Sequence, residues 1–113
     1  MDVSVSGDPV RLPAPIEMNL LRIGQEAVAN AIRHGRPTVV TARLQFGENR
    51  VRLSVTDDGR GFHPQDGAPS GHFGLLDMQE RARSMGSVLQ VESDPDRGTT
   101  VIVEIPMKER VID

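Results

Sequence analysis

The chain has 113 residues, a net charge of -3 with both signs interspersed, no cysteine and 3% aromatic residues without Trp or Tyr. That length holds one small domain. The charge pattern argues against a nucleic-acid arm or a basic membrane surface, the few aromatics leave single-strand stacking platforms scarcely available, and the missing cysteines exclude disulfides and thiolate metal sites.

In chain order, Val3-Ser4-Val5-Ser6 alternates like a short strand and gives way to the turn signal Gly7-Asp8-Pro9. Pro15 suits the first turn of a helix. From Ile16 to about His34, apolar residues at Ile16, Leu20, Ile23, Ala27 and Ala31 have the spacing of a buried stripe. Gly35, able to take a left-handed helix-end conformation, and Pro37, unable to continue the helix, are expected to stop it. Thr38 to Phe46 and Arg50 to Asp57 alternate on either side of Gly47-Glu48-Asn49 and read as a hairpin. Asp58 to Phe73 carries four glycines and two prolines, a loop longer than a compact domain needs for connection alone. Gly74 to about Met85 resumes a helical pattern, stopped by Gly86. Val88 to Ser93 and Thr99 to Ile105 then read as two strands around Asp94-Pro95-Asp96-Arg97-Gly98. Hairpins with two separate helices predict an α+β two-layer sandwich over residues 1–107, with Lys108 to Asp113 as a frayed tail. No apolar run reaches membrane-spanning length and the start has no signal-peptide pattern, so a soluble domain is expected.

Certain residues stand out against these patterns. Alternation puts Asp57 on the face of Val51, Leu53 and Val55, at the rim of the core, where a carboxylate needs hydrogen bonds. An adenine amino group is one suitable donor, and Gly59 and Gly61 would let the backbone approach a ring. An ordinary Asp-Gly turn is the other reading. Glu26 and Asn30 lie one helical turn apart, either as part of a solvated stripe or, for the Asn oxygen, as a ligand to Mg²⁺. Arg33 and His34 suit either phosphate or the negative end of the helix. Thr99 shares a strand face with Val101 and Val103, so its hydroxyl is turned inward, toward the backbone or toward a ligand. Phe62, Phe73, Leu75 and Met78 read as core or loop anchors. The three histidines have no metal-ligand spacing, which argues against a zinc enzyme.

Taken together, Arg22-Ile23-Gly24-Gln25-Glu26-Ala27-Val28-Ala29-Asn30-Ala31-Ile32-Arg33-His34-Gly35 resembles the N box of the ATP-binding catalytic domain of two-component sensor histidine kinases, in the superfamily of gyrase, Hsp90 and MutL. Asp57-Asp58-Gly59-Arg60-Gly61-Phe62 resembles its first glycine box. His72-Phe73-Gly74-Leu75-Leu76-Asp77-Met78-Gln79-Glu80-Arg81-Ala82 is similar to the second glycine region of the nitrate-sensor-like subfamily, whose partners are usually LuxR-type response regulators. Arg97-Gly98-Thr99-Thr100 matches the final Gly-Thr strand.

The resemblance implies a Bergerat-type sandwich, with a mixed, mostly antiparallel sheet and helices on one face, that binds ATP and Mg²⁺. Asp57 would accept from adenine, with Gly59, Gly61, Phe62 and Thr99 around it. Asn30 would hold Mg²⁺, and Glu26 would orient water or metal beside it. Arg33 and His34 would lie toward the phosphates, and Asp58 to Phe73 would form an ATP lid with Gly71, His72, Gly74 and Leu75 near the phosphates. The subfamily often has Gly-x-Gly-Leu where this chain has His72-Phe73-Gly74-Leu75, its other glycine displaced to Gly71.

In such kinases the acceptor histidine sits on a separate dimerisation domain, and none of His34, His63 or His72 has its context. The implied partners are therefore that domain and a response regulator, with no nucleic acid and no direct membrane contact. The implied location is cytoplasmic, in a parent kinase open to inner-membrane anchoring. An anti-sigma serine kinase of the same fold and a non-catalytic ATP-binding adaptor are the alternative functions.

Overall fold

The computed structural model describes residues 1–61 and 74–107. The sheet has the order β1-β2-β3-β5-β4, formed by β1 (Asp2–Gly7), β2 (Val40–Phe46), β3 (Arg50–Asp57), β4 (Leu89–Asp94) and β5 (Gly98–Pro106), and two helices, α1 (Ala14–Asn30) and α2 (Gly74–Ser84), complete the domain. β1 runs parallel to β2, and the other neighbours are antiparallel. A parallel pair needs a crossover, and α1 supplies it.

α1 starts on the Pro13 carbonyl, which accepts from the amides of Ile16 and Glu17 at 3.0 Å each. Pro15 sits in its first turn, where a missing amide hydrogen costs nothing, and Glu17 complements the positive helix end. The helix does not stop at Gly35 in a left-handed turn. It widens into a π turn over Ala31–Gly35, and the left-handed residue is Arg36, at φ 48° and ψ 54°.

The core lies between the helices and one sheet face. Leu20, Ile23, Ala27 and Ala31 from the first helical segment and Met78 and Ala82 from α2 meet Val40, Val51, Val55, Leu89, Val101, Val103 and Ile105. Ile23 and Met78 are fully buried, each contributing about 1.5–3 kcal/mol of transfer free energy. Beside this packing, Arg81 donates to Asn19 Oδ1 at 3.0 Å and to Asp77 at 2.9 Å, and Asn19 donates to the Ser84 hydroxyl at 3.3 Å. These bonds tie the first half of α1 to the last turns of α2. Among the described residues, no helix is long and apolar enough to cross a membrane.

Candidate functional site

Strand register gathers the inward polar residues into one row. Asp57 pairs with Thr99, and Thr99 pairs with Ser93. The next inward row is Val55, Val101 and Val91, which is apolar. The polar row therefore marks the end of the core at the C-terminal end of β3. Val40, the first residue of β2, stands opposite Asp57 on the other side. The chain returns from the π turn to Val40 through residues 36–39, so the C-terminal end of α1 and the polar row lie at the same end of the molecule.

Within this row Asp57 is 8% exposed, and its Oδ1 accepts from the Gly59 amide at 2.8 Å. That is the local Asp-Gly turn of the plainer reading. A carboxylate offers about four lone-pair sites, so this bond is compatible with further donors. Ser93 is buried and donates to the Gly98 carbonyl at 3.1 Å, and its hydroxyl stands 2.8 Å from that of Thr99. Thr99 thus has a side-chain partner within the row. Sequence reading passed over Ser93, although it continues the inward alternation of Leu89 and Val91 just as Asp57 continues that of Val51 to Val55.

Two glycines at this end are fixed by close backbone neighbours. A Cβ on Gly61, at φ +66°, would collide with the Asp94 carbonyl and come within 2.8 Å of that of Gly98. A Cβ on Gly98, at φ +86°, would collide with the carbonyl of Asp57. The Asp96 amide also donates to the Arg60 carbonyl. Gly61 is therefore required by close approach of the β4–β5 turn, which presses the glycine turn onto the sheet end. Gly59 is buried.

On α1, Asn30 Oδ1 is buried and has no hydrogen-bond partner among the described residues. An orphaned buried acceptor is costly, so this oxygen suits an added donor or cation. It fits Mg²⁺, which takes one or two protein oxygens and completes its shell with phosphate and water. Among the described residues no cluster of three or more His, Asp or Glu could hold an ion unaided, and that mode of binding needs none. Glu26 is half-buried one turn earlier, and Arg33 is exposed in the π turn that also contains His34. Gly74 opens α2, and Leu75 packs partly buried against the core. Phe62, Gly71 and His72 lie outside the described residues.

Asp58 is exposed and turned away from the polar row. Its Oδ1 accepts from the amides of Thr38 and Val39 at 2.7 and 2.9 Å. Chiefly the Val39 bond, supported by that of Thr38 and opposed by desolvation, holds its carboxyl below the ordinary value of 3.8.

A separate cavity of about 620 Å³ lies on the other flank of α1, lined by Leu21, Gly24, Val28 and Ile32 with Val3 and Leu44 of the sheet. Its walls offer almost no polar groups for a triphosphate. The convergent polar row, not this cavity, is the candidate site.

Residues 16–109 match the family described as histidine kinase-, DNA gyrase B-, and HSP90-like ATPase. The chain is 37% identical over 99 residues to the sensor protein VraS of Staphylococcus saprophyticus, covering 88% of this chain and 28% of that one. It is 37% identical over 109 residues to the sensor histidine kinase LnrJ of Bacillus subtilis, covering 96% and 26%. The chain thus spans about a quarter of the length of these relatives. Among solved structures, the ATP-binding domain of PrrB from Mycobacterium tuberculosis superimposes with a TM-score of 0.64 at 25% identity, over 96% of this chain and 82% of that one. A blue-light-activated histidine kinase of Erythrobacter litoralis gives 0.72 at 25% identity, over 94% and 35%. With the polar row, the N-box helix and the glycine turn in that arrangement, the chain belongs to the histidine kinase-, DNA gyrase B- and HSP90-like ATPase family.

Proposed function

We propose that the chain is the ATP-binding catalytic domain of a sensor histidine kinase, which binds Mg-ATP and passes the γ-phosphoryl group to a histidine on a separate dimerisation domain for relay to a response regulator. The observation that carries this reading is the buried Asn30 Oδ1, without a hydrogen-bond partner among the described residues, at the end of the molecule that also bears Asp57, Thr99 and Ser93. Asp57 accepts from the adenine amino group, and Gly59 and Thr99 bound the same corner. Asn30 holds Mg²⁺, which when bound neutralises phosphate charge. Glu26 orients water beside it, and Arg33 and His34 face the phosphates. Phe62, Gly71, His72, Gly74 and Leu75 complete the nucleotide contacts from the loop and the start of α2.

Phosphoryl transfer depends on positioning and charge neutralisation more than on covalent chemistry. The catalytic burden therefore rests on Asn30 and Glu26, and adenine recognition on Asp57. The run from Gly74 to Ala82 supports a LuxR-type regulator as the downstream partner. The domain then works in the cytoplasm, in a parent kinase anchored in the inner membrane.

The test supplies a histidine-bearing dimerisation domain, Mg²⁺ and γ-labelled ATP, and follows acid-labile label on that domain. Asn30→Ala should lose transfer by about 100-fold or more while still binding adenosine. Undiminished transfer by the variant would contradict the assignment of Asn30, and robust labelling of the chain by itself would contradict the separate acceptor.

A further inference from the structure

The second carboxylate of the glycine turn has no part in the proposed chemistry, yet it accepts two backbone amides from across the sheet end. β2 and β3 pair as far as Val40 and Asp57. One step beyond, the Asp58 amide donates to the Val39 carbonyl at 3.3 Å, and Asp58 Oδ1 takes both the Val39 and Thr38 amides. The side chain thus continues the ladder after the strand has turned away. What it holds is the return path from the helix end: Arg36 in a left-handed conformation, then Pro37, whose ring fixes its backbone, then Thr38 and Val39. On its other side Asp58 is flanked by Asp57 and by Gly59, whose amide sets the Asp57 carboxylate.

We infer that Asp58 is a positioning residue, a clamp that ties the nucleotide-facing turn Asp57 to Gly59 to the start of β2 and so fixes where the Asp57 carboxylate stands relative to the end of the N-box helix. The inference rests on the reading of Asp57 as the adenine acceptor. Asp58 touches no nucleotide; it acts through Asp57. A site whose acceptor is displaced by a fraction of an ångström loses the directional bond that distinguishes adenine from guanine before it loses the non-directional attraction for phosphate.

The experiment compares the unsubstituted chain with Asp58→Ala and Asp58→Asn, the second of which keeps an oxygen able to accept both amides. ADP and GDP affinities are measured with Mg²⁺ by calorimetry, and amide exchange is followed at Thr38, Val39 and Gly59. In Asp58→Ala, the preference for ADP over GDP should shrink by about tenfold, the size of one weakened hydrogen bond, and the Gly59 amide should lose protection. Asp58→Asn should restore both. A merely structural role would weaken both nucleotides alike. An unchanged ADP:GDP ratio in Asp58→Ala, or unchanged Gly59 protection, would overturn the clamp. Failure of the unsubstituted chain to prefer ADP would instead overturn the adenine reading, and Gly59 exchange would then still decide whether Asp58 sets the Asp57 turn.

Discussion

Asp57 and Asp58 are adjacent, chemically identical and put to opposite uses. Strand alternation sends the first inward, to 8% exposure, and the second out to the surface. The outward one has a pH consequence. Its carboxyl is held below 3.8 by the Val39 and Thr38 amides, so in this region the folded state binds fewer protons than the unfolded state. The stabilisation is therefore present above the unfolded value and is lost as pH falls through the folded one. The stability difference between the unsubstituted chain and Asp58→Asn should be constant above about pH 5 and should change steadily below pH 4, as read by urea unfolding at each pH. A difference independent of pH down to acid denaturation would mean that Asp58 makes these bonds equally well when protonated. Arg36 is under a local constraint of another kind, a left-handed backbone. A left-handed conformation costs a non-glycine residue about 1–2 kcal/mol, so Arg36→Gly should raise the unfolding free energy by about 1 kcal/mol. No gain would mean that Arg36 adopts another conformation in solution.

At the scale of elements, periodicity was a sound guide. The inward sets Ile16 to Ala31 and Val51 to Asp57 are the buried faces observed, and the predicted hairpin pairs from Val40 with Asp57 to Phe46 with Val51. Helix termination was read less well. A π turn is a matter of hydrogen-bond register, which composition does not encode, and it moved the left-handed residue from Gly35 to Arg36. The ties between α1 and α2 were not legible either, since Asn19 and Arg81 lie far apart in sequence and meet only after folding. These two kinds of contact should differ in weight. Met78 is fully buried, and Met78→Ala should cost about 2–5 kcal/mol through lost burial and the cavity left behind. Arg81 is partly exposed, and Arg81→Ala should cost at most about 1 kcal/mol. Chemical unfolding of both variants checks the order. A costlier Arg81 would show that the polar ties, not the apolar contacts, hold α2 in place.

In the whole molecule, the sheet carries a gradient from an apolar middle to a polar end, and α1 bridges the two. One flank of α1 closes on α2, its buried stripe on the core, and its end carries Asn30 at the end of the molecule that bears the polar row. Asp57 and Thr99 were legible as polar residues on strand faces where alternation demands apolar ones, whereas Asn30, on the polar side of its helix, stood out only as a helix-interior Asn one turn after Glu26. Only the fold shows that Gly61 meets Asp94 while Gly98 meets Asp57. The central claim is that this polar end recognises adenine through Asp57, and calorimetric titration of the unsubstituted chain and Asp57→Asn with ADP and GDP in the presence of Mg²⁺ tests it most directly. The account predicts that the unsubstituted chain prefers ADP, and that Asp57→Asn loses about 1–3 kcal/mol of ADP binding, roughly 5- to 150-fold, with little change for GDP. Equal ADP affinity in the two proteins, or equal affinity of the unsubstituted chain for ADP and GDP, would contradict it.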